Sequence, residues 1–219
     1  MLDSSAMPPI KADTKYSAFE YETWFNEPIF ETFRIPTVVQ AIYKALAPWN
    51  ISTENVKYAS SITTPNDPVV SFQLARNLYS LSLCIAGLKF KAESVDWEQA
   101  PAIIGIIEAA RVAVSKAVET VTIKRHQLQI IMQLAPARAI KDLTKPFAGN
   151  INRQDLDFYG LVLYTKDGLF LVDRSVADAT NLFVKIQRRF EADKNMDEMA
   201  ANLHDDEKWL AGILNIEIV

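Results

Sequence analysis

The run DWEQAPAIIGIIEAARVAVSKAVETV, from Asp96 to Val121, decides the fold. Within it Ile103, Ile107, Ala110, Val114, Ala117 and Val121 recur at steps of four, three, four, three and four, which draws one apolar stripe down a helix. Asp96, with Gln99 three residues on, makes a capping-box-like start, and Pro101 distorts the first turn. Burying four or five of these side chains at about 1.5–3 kcal/mol each contributes on the order of 10 kcal/mol before the entropy of ordering them is subtracted. A sheet supplies the matching surface, because the residues on both sides of the run read as strands.

On the N-terminal side, Asn55 to Ile62 reads as a strand and Pro65-Asn66-Asp67-Pro68 as a turn. Val70, Phe72 and Leu74 then alternate, Arg76-Asn77 turns into a strand over 78–85, and Gly87 is expected to break or bulge the ribbon before Leu88, Phe90 and Ala92. On the C-terminal side, Leu128, Ile130, Met132 and Leu134 alternate until Pro136. Residues 137–155 read as a connection with a helical turn. A hairpin then turns at Lys166-Asp167-Gly168, where Gly168 is expected to take a positive φ. Ala179, Leu182, Phe183, Ile186 and Phe190 share a face of a second predicted helix over 178–193, with Lys185, Arg188 and Arg189 outside that face. The acidic run 193–208 continues or frays from it, and 213–219 alternates like a strand.

The chain opens with a polar stretch, 1–15, expected to be a disordered lead-in. From Tyr16 onward Phe19, Tyr21, Trp24, Phe25, Phe30 and Phe33 interleave with Glu20, Glu22, Glu27 and Glu31. Pro28 to Ile35 suits an opening strand. Two readings of this segment stand: aromatics in the core with glutamates in water, or an exposed recognition surface. Pro36 starts a short helix carrying Val38, Val39, Ile42, Tyr43 and Leu46, which Pro48 stops. The predicted fold class is therefore α+β, with antiparallel sheet packed on two long helices. Strands followed by a long helix occur twice, a structural duplication dividing a single 16–219 domain into halves 16–121 and 122–219.

The stretch Asn26-Glu27-Pro28-Ile29-Phe30-Glu31-Thr32-Phe33-Arg34-Ile35, with two rounds of strands and a long helix over 56–134 and 156–192, resembles a sporadically distributed family of uncharacterised prokaryotic proteins of similar length. The resemblance implies an antiparallel sheet gripping two helices, and it carries no activity or catalytic residue to transfer.

Composition narrows the function. A formal net charge of -4 gives no broad basic footprint, so nucleic acid is not an expected partner. One cysteine, Cys84, excludes an internal disulfide and fits a reducing, cytoplasmic setting, and its apolar neighbours mark it as a buried small hydrophobe. No apolar run is long enough for a membrane span, and the opening residues hold no export segment. The six glycines are scattered singly and form no phosphate loop, so no nucleotide cofactor is expected. His126, in the basic run Lys124-Arg125-His126-Gln127, reads as a solvated surface residue. His204 beside Asp205, Asp206 and Glu207 reads as part of a solvated acidic tail, and no metal site is expected.

Two classes of function follow. The first is a non-enzymatic binding protein whose sheet and helices shape a surface for a protein partner, a second copy of the chain or a small apolar ligand. Its candidate contacts are Phe19, Tyr21, Trp24, Phe25, Glu27 and Glu31, with the basic cluster Lys185, Arg188 and Arg189 open to an anion or an acidic partner. The second is a metal-independent enzyme using surface carboxylates, such as Glu20 with Glu22 or Asp155 with Asp157, or the basic face at 185–189. The missing catalytic motifs favour binding.

Overall fold

The structure, a computed structural model, describes residues 8–30, 35–148, 158 and 160–219. Along these residues run β1 (Ile10–Phe25), α1 (Ile35–Ala45), β2 (Val56–Tyr58), β3 (Pro68–Leu74), β4 (Tyr79–Cys84), β5 (Gly87–Glu93) and α2 (Ala100–Ala117). There follow β6 (Ile123–Pro136), α3 (Ile140–Thr144), β7 (Leu161–Tyr164), β8 (Gly168–Arg174), β9 (Leu182–Glu191), α4 (Met196–Leu214) and β10 (Ile216–Ile218). The fold is α+β, with strands hydrogen-bonded in the order β2-β3-β4-β5-β1-β6-β9-β8-β7 and β10 added in parallel to β1. The order strand, short helix, antiparallel strands, long helix occurs twice along the chain. The chain divides into two compact units, unit 1 of Met1–Ser17, Ile130–Gln187 and Asn202–Val219, and unit 2 of Ala18–Gln129 and Arg188–Ala201.

In unit 2 the helical stripe folds as its spacing predicts. Ile103, Ile107, Ala110 and Val114 are buried, joined by Ile106 and Ala113. Asp96 caps the entry, its carboxylate accepting from the amides of Glu98 and Gln99, and Pro101 falls within the first two helical positions, where the missing N–H costs nothing. Alternation sets the sheet beneath. Val70, Phe72 and Leu74 of β3, Leu81 and Leu83 of β4, and Leu88, Phe90 and Ala92 of β5 are all core. Their cross-strand partners agree: Phe72 faces Leu81, which faces Phe90, which faces Tyr21 of β1. Gly87 neither breaks nor bulges the ribbon. It faces Cys84 across the β4–β5 hairpin and Trp24 across β1, where a Cβ would stand 1.9 Å from the Thr23 carbonyl oxygen. That approach, not a turn, requires glycine.

In unit 1, β7 and β8 pair as the predicted hairpin, closed by the Thr165 amide on the Gly168 carbonyl. Gly168 has no positive φ, contrary to expectation. A Cβ there would lie 2.5 Å from the Gln187 carbonyl oxygen, so strand proximity again accounts for the residue. Phe170 packs at 5.0 Å between ring centroids on Trp209 of α4, while Leu203, Leu210 and Leu214 turn the same helix inward.

Several expectations are corrected. The segment 178–193 is not a helix but a turn followed by β9, and the second long helix is α4, from Met196. The steps from Leu182 to Ile186 to Phe190 are of four residues, which is even, so they fit one face of a strand as well as one face of a helix. The buried Val184 between them settles the period as two. The opening strand is β1; of the stretch 28–35 expected as a strand, 28–30 form none, Ile35 opens α1 and 31–34 lie outside the described residues, and because β1 begins at Ile10, 10–15 belong to a strand and not to a loose lead-in. The strand expected over 55–62 shrinks to β2.

Candidate functional site

The aromatic and acidic segment obeys the alternation of β1. Phe19, Tyr21 and Phe25 point into the core, at 8%, 0% and 5% exposure, while Glu20, Glu22 and Trp24 are half-buried on the other face. Those three are engaged there. The Arg125 guanidinium sits 4.6 Å over the Trp24 ring, Lys89 pairs with Glu22 at 3.5 Å, and the Gln129 amide donates to Glu20. The face continues as a polar lattice: the Ser71 and Ser82 hydroxyls are 2.8 Å apart, Gln73 donates to Ser80 at 3.2 Å, and Lys91 meets Glu93 at 2.6 Å. Glu27 and Phe30 are exposed beyond the strand end, while Glu31 and Phe33 lie outside the described residues.

The basic cluster is redistributed by the change from helix to strand. Alternation along β9 places Lys185 and Arg189 on one face and Arg188 on the other, so the three do not converge.

The most unusual polar group of unit 2 is one that the sequence reading assigned to solvent. His126 is fully buried. It continues backward the alternation of Leu128, Ile130, Met132 and Leu134, a signal the neighbouring Lys124 and Arg125 obscured. Its Nε2 lies 3.3 Å from the Ala192 carbonyl, which can only accept, so Nε2 carries the proton and Nδ1 accepts from the Tyr21 hydroxyl at 3.0 Å. The rings are also stacked, with centroids 5.8 Å apart. Burial, reinforced by the Arg111 guanidinium of α2, pushes the imidazole down to about 4 against the opposing pull of the Ala192 carbonyl. Burial likewise raises the Tyr21 hydroxyl well above its ordinary value. Arg111 is itself held by Glu108 at 2.6 Å, and its Nε is buried without a hydrogen-bond partner. Both imidazole nitrogens are occupied and no solvent reaches the pair, so it ties β1 to β6 and is not placed to exchange protons with a ligand.

Burial also pushes the Cys84 thiol up to about 11, which leaves it protonated and unreactive at neutral pH. His204 pairs with Glu207 at 3.3 Å on α4. Among the described residues no group of three or more His, Cys, Asp or Glu could hold a metal ion, and no helix is long and apolar enough to cross a membrane.

In unit 1 the faces of the β7–β8 hairpin differ sharply. Leu161 and Leu163 lie opposite the buried Val172 and Phe170, whereas Val162 faces Leu171 and Tyr164 faces Leu169 on the other side. There Val162 is 47% and Tyr164 82% exposed. Four apolar side chains thus stand together on the last strand pair of the sheet. A cleft of about 610 Å³ also opens in this unit, where the ends of β6, β8 and the turn before β9 meet around Arg138, Lys141, Arg174 and Asn181.

No family model matches the chain, and no curated protein matches it. Among solved structures it is similar to Methanococcus jannaschii TBP, with a TM-score of 0.32 and 15% sequence identity over 94% of this chain and 98% of that one.

Proposed function

We propose that this chain is a non-enzymatic binding protein that engages a protein partner through the β7–β8 hairpin. The observation that carries this reading is the exposed pair Val162 and Tyr164, which stands on one hairpin face beside the half-buried Leu171 and Leu169. Contiguous exposed apolar side chains usually mark interaction sites, and a tyrosine contributes a large, stiff contact area with a polar tip. Strand β7 ends the hydrogen-bonded path of the sheet, so among the described residues its outer backbone edge has no strand beside it and suits strand addition by a partner or by a second copy.

The test is Val162→Lys combined with Tyr164→Lys. Both side chains are exposed, so the melting temperature should hold within a degree or two. Chemical cross-links from 161–171 to a partner, or the self-associated species in sedimentation, should disappear. Wild-type protein that stays monomeric at high concentration and forms no cross-link from this hairpin in its native cells would overturn the reading, as would a double variant that associates as before.

A further inference from the structure

We infer that His126 is the proton sensor of a latch between α2 and the sheet of unit 2, in which acid makes the imidazole a second cation beside Arg111 and the repulsion releases the Arg111 turn of α2. The latch is independent of the hairpin face and its role. Three segments meet at the fully buried His126: β6 carries it, β1 brings the Tyr21 hydroxyl to 3.0 Å from Nδ1, and the connection from β9 to α4 brings the Ala192 carbonyl to 3.3 Å from Nε2. Among the described residues, the charged groups that act on this pair come from α2, Arg111 on both side chains and Glu108 on the Tyr21 hydroxyl.

The hydrogen bonds around the ring survive protonation. Nε2 keeps its proton and still donates to the Ala192 carbonyl. A proton added to Nδ1 is donated to the Tyr21 oxygen, and the phenol proton turns to Thr23 Oγ1, whose own proton is on the Arg125 carbonyl at 3.2 Å. What fails is the charge balance, because a buried imidazolium then stands beside a guanidinium. Of the two cations, Arg111 is the one able to leave. Its partner among the described residues is Glu108 at 2.6 Å, on its own helix, and its Nε is buried without a hydrogen bond, so no polar contact ties it to the sheet. Burial, together with Arg111, holds the imidazole at about 4 in the closed form, against 6.5 once it is opened to water. Each pH unit lost between those values raises the open population about tenfold, with no further rise below about 4.

Hydrogen exchange on the full chain, corrected for the intrinsic rate at each pH, tests the latch together with ring NMR of His126, for which His204 is the internal reference. In wild type the amides of 107–114 should open about tenfold more for each pH unit lost between 6.5 and 4, while those of 123–129 stay protected. Arg111→Met keeps the packed stem without its charge, so it should move the His126 midpoint upward and flatten the pH dependence at 107–114. His126→Gln retains a donor and an acceptor but has no proton to gain, and should leave those amides opening to the same extent throughout. If it does not fold, the Arg111→Met shift decides. An α2 that opens independently of pH in wild type overturns the proposal, and so does an unmoved His126 midpoint in Arg111→Met or a slope that persists in a folded His126→Gln. Equal opening of 107–114 and 123–129 in wild type also overturns it, because acid would then unfold unit 2 as a whole.

Discussion

The open face of the unit 2 sheet and the open face of the unit 1 hairpin come from the same kind of element, antiparallel strands with one buried side, yet their chemistry is opposite. In unit 2 the polar outward residues of β1, β3, β4 and β5 include Glu20, Glu22, Ser71, Gln73, Ser80, Ser82 and Lys89, bonded across strands to one another or to side chains of β6, with Lys91 paired to Glu93 along β5 and Trp24 covered by Arg125. In unit 1 the outward residues of β7 and β8 are Val162 and Tyr164, which leave apolar surface in water, with the half-buried Leu169 and Leu171 beside them. A self-paired polar face gains little from a partner, because each contact must first replace one already made. An apolar face gains from nearly any complementary surface. The contrast is the reason for placing partner binding on the hairpin and not on the aromatic segment of β1.

The comparison can be broken most severely at its two close-approach glycines. Gly87→Ala in unit 2 would drive a methyl into the Thr23 carbonyl and should cost at least about 3 kcal/mol, whereas Gly168→Ala in unit 1, with more room before Gln187, should cost about 1–2 kcal/mol. Denaturant unfolding of the two variants gives the order. A tolerated Gly87→Ala would mean that β1 and β5 do not pair in the register described.

Acid should separate the units next. His126 has an ordinary pKa of 6.5 in the unfolded chain and about 4 in the folded one, so between those values the unfolded chain binds a proton that the folded chain refuses. Stability should therefore be full above pH 6.5 and fall as the pH drops toward 4, by on the order of 3 kcal/mol, with no further loss from this group below that. Hydrogen exchange should show the amides of unit 2 opening first. His126→Phe should lose the slope in this window whatever its stability at pH 7, and a slope that survives the substitution would assign the effect to another group.

The smallest effect sharpens the polar side. Ser71→Ala and Ser82→Ala, together with the double variant, should give a coupling of about 0.5 kcal/mol, since one part-buried hydroxyl pair between neighbouring strands contributes no more. Coupling near zero would mean that the lattice on the unit 2 face is loose enough to rearrange around a ligand, and the contrast with the hairpin would weaken.

Much of the fold was legible before any coordinates. The stripe in α2, the period-two runs in β3, β5 and β6, and the Asp167-Gly168 hairpin each rest on local rules that depend only on which side of an element is buried. The sequence by itself also determined the fold class, but it set the second long helix over 178–193, where β9 stands, and not at α4. What it could not decide were features that depend on contacts between distant segments. Steps of four left β9 readable as a helix until neighbouring strands claimed it. A histidine among basic residues looked solvated until Tyr21, 105 residues away along the chain, supplied its partner. The necessity of Gly87 came from the Thr23 carbonyl and not from any turn of its own. The candidate contacts were divided in the same way, because Phe19, Tyr21 and Phe25 went to the core once the pleat of β1 was set. Val162, Tyr164 and the Arg138, Lys141, Arg174 and Asn181 cleft became visible only where separate strand ends meet. Local periodicity states which faces are apolar; which face is then covered is a property of the tertiary arrangement, since burial depends on what stands opposite.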